Sequence, residues 1–209
     1  MLLNKGYDKS ERDPWWWPNS GSFEVVVGAV LTQNSSWERV EKSLNSLRRN
    51  ALLSPEKFAL LEESDLYDMI RPSGFFKNKS KYLIRFSRDM LSEFGDFQLF
   101  KRDCTREWLL GRHGIGFETA DSILNYACYK EFFVVDSYTA RLLLEFGYYF
   151  ESYNELQEWM LNGLKAKCKK LFPGLNSPAQ IYARSHGMIV EYCKTHRKKG
   201  KISIEELIK

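Results

Sequence analysis

The sequence predicts an all-α protein, and three observations carry that reading. Helix start and stop signals recur along the whole chain, the connections between them are short, and strict apolar/polar alternation is scarce. There is no repeat at a solenoid period and no low-complexity linker. The 209 residues suffice for one domain or for two small lobes sharing a core.

The elements follow in order. Ser35-Ser36-Trp37-Glu38 reads as a capping box, in which a Ser hydroxyl caps an orphan N–H and Glu reaches back. Val40, Leu44 and Leu47 then mark one helix face. Ser54-Pro55-Glu56 is a second start, with Pro where its missing N–H does no harm. Leu61, Leu66, Met69 and Ile70 continue that region until Arg71-Pro72-Ser73-Gly74 breaks it. A helical period resumes from Lys79 to Phe94. Further helices are expected at 102–110, 118–127, 139–146, 153–170 and 178–194. Val25-Val26-Val27 and Phe132 to Val135 have strand propensity, which yields readily to context in short runs.

Composition narrows the class. A hydrophobic fraction of 44% and a charged fraction of 28% exclude a disordered tail, a collagen and a multi-span membrane protein. The net charge of +4 is only weak evidence for a polyanion partner, whereas an aromatic fraction of 15% with six Trp exceeds what a core of this size needs. Cysteines 104, 128, 168 and 193 form no CxxC pair and read as isolated reduced thiols. The N-terminus turns polar too soon for a signal peptide, and Val25 to Leu31 is too short to span a membrane. A soluble intracellular protein is expected.

The most informative stretch is Gly111-Arg112-His113-Gly114-Ile115-Gly116-Phe117-Glu118-Thr119-Ala120-Asp121. Glycines bracketing one apolar residue between two helices allow the backbone to approach an anion closely, and the following helix start favours negative charge. A plain helix–helix turn would look the same. Asp136 follows an apolar run and precedes a helix start at Ser137. It either caps that helix or presents an ionised carboxylate to a cleft.

Leu110 to Asp121 with Val134-Val135-Asp136-Ser137-Tyr138 resembles the helix-hairpin-helix and catalytic Asp of the endonuclease III superfamily of DNA glycosylases. The resemblance extends to Val27-Gly28-Ala29-Val30-Leu31-Thr32-Gln33-Asn34 and to Ala183-Arg184-Ser185-His186-Gly187, covering about 15 to 195. Trp15-Trp16-Trp17-Pro18-Asn19 and Leu31-Thr32-Gln33-Asn34 are most similar to its bacterial 3-methyladenine DNA glycosylase III branch. The resemblance implies two helical lobes with a DNA cleft between them. Residues 21–136 would form the central lobe, with the helix-hairpin-helix at about 108–127; residues 1–20 and 137–209 would form the other.

Two departures sharpen what it implies. Bifunctional members carry a Lys, which forms a Schiff base and cleaves the strand, at the place held here by Glu118. Glu cannot form an imine, so a monofunctional enzyme without lyase activity is expected. Many members also hold an iron–sulfur cluster on four cysteines. Here Glu191 stands where the first would fall and only Cys193 lies beyond it, so no metal is expected. The branch suggests instead a carbamylated lysine near the C-terminus, with Lys194, Lys198, Lys199 and Lys201 as candidates.

Three consecutive Trp cannot all point one way. Either they wrap onto the body as an arm, or at least one lines a cavity. By the resemblance, Trp16, Trp17 and Pro18 would form the wall of a base pocket and Trp37 would stack on the base from the other side. Indole faces attract a cationic alkylated purine as they attract other cations. Gln33 matches the family's inserting residue, and Phe75 after the Gly74 turn is a candidate wedge or a buried aromatic. Gly114, Ile115, Gly116 and Thr119 would contact the DNA backbone.

Lysines 77, 79 and 81, then 165, 167, 169 and 170, and the 197–199 run are solvated faces or a DNA-facing surface whose binding would weaken steeply with salt. The expected function is excision of alkylated purines, chiefly 3-methyladenine, from double-stranded DNA by a bacterial, cytoplasmic and nucleoid-associated monomer. A glycosylase for oxidised or mismatched pyrimidines and a non-catalytic helix-hairpin-helix DNA-binding protein are the alternatives. The Trp cluster argues against the first, because neutral pyrimidines gain less from a cation-binding box. Asp136 argues against the second, since a carboxylate near DNA would only weaken a pure binder.

Overall fold

The computed structural model describes residues 2, 6–198 and 200–208, with side chains except at 168 and 169. Cys168, Lys169 and Lys199, which enter the sequence reading, therefore lie outside the described residues. The chain forms two compact units, Asn19–Cys128 and the residues up to Pro18 with those from Tyr129 onward. The expected boundary at 136 thus moves earlier. Phe133 and Val135 are buried in the core of the terminal unit, which draws the apolar run before Asp136 into it.

The central unit consists of helices and the turns that join them. Its helices are α1 (Phe23–Thr32), α2 (Trp37–Arg49), α3 (Pro55–Leu60), α4 (Glu63–Ile70), α5 (Phe76–Phe94), α6 (Phe97–Asp103), α7 (Arg106–Leu110) and α8 (Phe117–Ser122). The Val-rich run at 25–27 is helical because α1 is buried from Phe23 to Leu31 and packs on α2 and α5. There packing decides over strand propensity.

Two local expectations fail. Ser36 precedes α2, but its hydroxyl makes no capping bond and Glu38 reaches forward to Lys42 Nζ at 2.8 Å. The predicted helix over 102–110 is two helices, because Thr105 starts a new one by accepting a hydrogen bond from the Trp108 N–H at 3.1 Å. By contrast Ser54 caps α3 with Pro55 as its first residue, as the sequence implies.

The helix after the hairpin widens into a π turn at Ile123–Ala127, buried and packed on α1. Its anchor is a bidentate pair: Arg106 Nε and Nη2 donate to the two Asp121 oxygens at 2.7 Å each, and Asp121 is fully buried. This pair fastens α7 to α8. Asp121→Ala leaves a mostly buried guanidinium without its carboxylate, and an expected loss of about 3–5 kcal/mol follows. Urea unfolding checks this; a loss below about 1 kcal/mol, within the range of an exposed pair, would show that the pair does not hold the hairpin.

The terminal unit contains α9 (Ser137–Glu145), α10 (Tyr153–Leu171), α11 (Pro178–His196) and a two-residue antiparallel ladder, β1 (Arg197–Lys198) with β2 (Lys201–Ile202). That small hairpin was not foreseen. Leu142, Leu156, Leu164, Tyr182, Ile189 and Tyr192 build its core with Phe133 and Val135. Among the described residues no helix is long and apolar enough to cross a membrane.

Candidate active site

In the terminal unit, Asp136 is the N-cap of α9. Its Oδ1 accepts from the Thr139 N–H at 2.8 Å and from the Thr139 hydroxyl at 3.0 Å. Its Oδ2 lies 3.5 Å from His186 Nε2 on α11. Burial pushes this carboxyl up, but His186 and the two Thr139 donors outweigh it, so it lies below its ordinary value. Asp136 is therefore the cap of α9, and the bonds that make it so also hold its carboxyl ionised.

The three tryptophans diverge. Trp15 stacks on Tyr129 at 4.2 Å, Trp17 is buried, and Trp16 is half-buried with Pro18 exposed beside them. Trp16 is held from several sides by the same helix that carries His186. Its indole Nε1 donates to Glu191 Oε1 at 3.2 Å, and its ring meets His186 edge-on at 5.4 Å and Trp17 edge-on at 6.3 Å. Lys194 Nζ lies 5.8 Å from the same ring and 3.9 Å from Glu191. The ring lies so close to Gly187 that a Cβ there would stand 2.3 Å from Trp16 Cγ. Trp16 itself has φ 69°, a left-handed backbone that a bulky residue adopts only under surrounding constraint.

In the central unit, Gly114 (φ 81°) turns the chain out of α7, Ile115 is buried, and Gly116 opens α8 with no capping side chain. A Cβ at Gly114 would stand 2.3 Å from Tyr82, so this position needs glycine for shape as well as for φ. Gln33 ends α1, and its amide donates to the Gly114 carbonyl at 2.9 Å and to the Thr119 hydroxyl at 3.0 Å. The residue matched to an inserting role here braces the hairpin. Thr119 is buried, which aims its hydroxyl at Gln33 rather than at solvent. The hairpin residues Leu110 to Gly114, with Arg85 and Asp89 of α5, line an open polar pocket of about 430 Å³.

Phe75 is 66% exposed at φ 48°, ahead of α5, and Trp37 is half-buried at the first position of α2. Lys79 cannot belong to a DNA-facing lysine run. It is buried, and burial together with the nearby Arg39 charge lowers its amine to about 8.

Glu191 engages Trp16, and among the described residues Cys193, whose thiol burial pushes up to about 12, is the one cysteine beyond it, so this donor set does not fit a four-cysteine iron–sulfur cluster. Among the described residues no group of three or more His, Cys, Asp or Glu could hold a metal ion. Of the described lysine candidates, Lys194 is the one that touches this cluster, while Lys198 and Lys201 lie exposed on the β ladder. Carbamylating Lys194 would set a second anion beside Glu191 and turn attraction into repulsion.

Sequence reasoning singled out Asp136 and Trp16 but not Glu191, His186 and Gly187 as their supports. Spacing along α11 (His186, Gly187, Glu191, Lys194) places these groups within about two turns, and that periodicity was the available signal.

An uncapped helix start after the hairpin glycines and a capped, ionised Asp136 are the local features expected of a helix-hairpin-helix DNA glycosylase. The chain belongs to the HhH-GPD superfamily of base excision DNA repair proteins, whose model matches residues 27–164. It is similar to a solved 3-methyladenine DNA glycosylase (MagIII) of H. pylori bound to 1,N6-ethenoadenine. That match has 42% identity, covers 94% of this chain and 95% of that one, and has a TM-score of 0.89. A Methanocaldococcus jannaschii protein named as a DNA repair glycosylase is 38% identical over 186 residues, 86% of this chain and 80% of its own length. A non-covalent endonuclease III–DNA complex shares the fold at 17% identity, with a TM-score of 0.68 over 96% of this chain and 88% of that one. The chain is a DNA glycosylase of base excision repair, and its substrate is DNA.

Proposed function

We propose that this glycosylase is monofunctional and releases alkylated purines, chiefly 3-methyladenine, from double-stranded DNA as a monomer. The observation that carries the reading is the link from Trp16 through His186 to Asp136, edge-on at 5.4 Å and then 3.5 Å. A ring surface suited to a cationic base and an ionised carboxylate suited to a cationic sugar stand one histidine apart. The H. pylori relative, bound to an adenine adduct, supports a purine-sized occupant.

In this reading Trp16, Trp17, Pro18 and Trp37 recognise the extruded base, and Gly114, Ile115, Gly116 and Thr119 form the hairpin that holds the backbone. Gln33 and Phe75 fill the vacancy it leaves. A cationic base needs no strong general acid to depart. The C1′–N9 electron pair leaves with it and neutralises its charge; Asp136 stabilises the oxocarbenium-like sugar; water then bonds to C1′ and loses a proton to solvent. Glu118, exposed at the first turn of α8, offers no amine for an imine. No iron–sulfur cluster takes part.

The test is chromatography of bases freed from methylated duplex DNA, with borohydride added to a parallel reaction. Free 3-methyladenine, strand breakage only after alkali and no trapped covalent adduct are expected. Release of oxidised or mismatched pyrimidines alone would overturn the lesion class, and a borohydride adduct would overturn monofunctionality.

A further inference from the structure

A buried lysine is an expensive way to satisfy carbonyls, because its charge must leave water. Lys79 is only 3% exposed, and its Nζ donates to two carbonyls from different parts of the chain: Leu31 O and Ser73 O, each at 2.8 Å. Leu31 lies in the last turn of α1, two residues before Gln33. Ser73 ends the 3₁₀ turn Arg71–Ser73, two residues before Phe75.

The turn itself is braced twice more. Ser73 Oγ donates to Ile70 O at 2.7 Å, and Arg39 Nε, from α2, donates to Pro72 O at 2.6 Å. Gly74 (φ 72°) and Phe75 (φ 48°) then stand consecutively in the left-handed region, with the Phe75 ring exposed. For a non-glycine residue that conformation persists only where its surroundings over-determine it. Three clamped carbonyls at 70, 72 and 73 are that determination.

We propose that Lys79, with Arg39 steadying Pro72, is a positioning residue for base flipping: it ties the Gln33 loop to the Phe75 turn so that both meet the duplex as one rigid edge. This rests on the reading of Gln33 and Phe75 as the residues that enter DNA. A neutral amide could bridge two carbonyls as well. The ammonium adds a strong charge-assisted bond to each, and so resists the load of prying a base stack apart.

The experiment uses a duplex with a tetrahydrofuran abasic analogue flanked by 2-aminopurine, whose fluorescence rises when its stack is opened. Wild type is expected to give the rise and Phe75→Ala to lose most of it. Lys79→Met is expected to reduce it about threefold or more, with duplex binding by anisotropy little changed, and to add nothing in a Phe75→Ala background. Equal effects of Lys79→Met in both backgrounds would mean a merely structural role and overturn the proposal, as would a wild-type rise in the single variant. If Lys79→Met does not fold, Arg39→Gln decides, since Arg39 is exposed. A reduced rise supports the clamp and an unchanged one overturns it. No rise with wild type would also overturn it. Failure to release 3-methyladenine would instead count against the lesion assignment, leaving this readout intact.

Discussion

Replacing Asp136 by Asn is expected to leave the protein folded and bound to damaged DNA while lowering base release about 10²–10³-fold, the usual loss when one preorganised electrostatic group is removed. Asn caps a helix about as well as Asp, so the bonds from the Thr139 N–H and hydroxyl survive the change. What disappears is the negative charge beside His186. Base release measured against Tm and duplex affinity separates the two roles; a variant as fast as wild type would remove Asp136 from the chemistry.

The pH dependence follows with a definite sign. Asp136 has a folded pKa below its ordinary value, so its contribution to stability is present above the unfolded pKa and is lost as pH falls through the folded one. Wild-type release that depends on the ionised form should therefore persist down through the ordinary carboxylate range and fall only below it. The Asn variant should lack that acid limb.

Gly187→Ala is expected to be nearly as damaging, although Gly187 touches no substrate in the proposed mechanism. The added Cβ would meet Trp16 Cγ, Cδ2 and Cδ1 at 2.3, 2.6 and 2.7 Å. The indole cannot retreat without giving up its bond to Glu191 and its edge contact with His186. Overpacking of this kind costs about 1–3 kcal/mol of stability. The larger consequence is a displaced base platform, with release down at least about 10²-fold, since misplacement by about 1 Å can cost that much.

Gly163→Ala in α10 is the matched control. Nothing lies within 4 Å of a Cβ there, so it should be neutral or stabilise by up to about 1 kcal/mol through helix propensity. Near-wild-type release by Gly187→Ala would mean that Trp16 is not the platform.

Much of this architecture is local information. Caps, breakers and apolar spacing act within a few residues, so Ser54-Pro55, the Gly74 break and the long period of α5 were readable, as were the hairpin glycines and Asp136 ahead of Ser137. The same local rules failed where a competing local bond existed. Thr105 accepts from Trp108 and splits one expected helix into two, while Glu38 prefers Lys42 to the end of its own helix. Lys79, one of three alternating lysines, looked like its exposed neighbours 77 and 81 until packing turned it inward.

By itself, then, the sequence determined the helical class, the glycine turn ahead of α8 and the placing of Asp136 just before a helix start, because each is written within a short span. Only the tertiary structure decided how they are supported. Trp16 finds Glu191 across 175 positions, Lys79 finds Leu31 across 48, and Gln33 finds Thr119 across 86. Such pairs depend on how helices pack, and short-range periodicity carries no information about which distant residue a buried polar atom will meet.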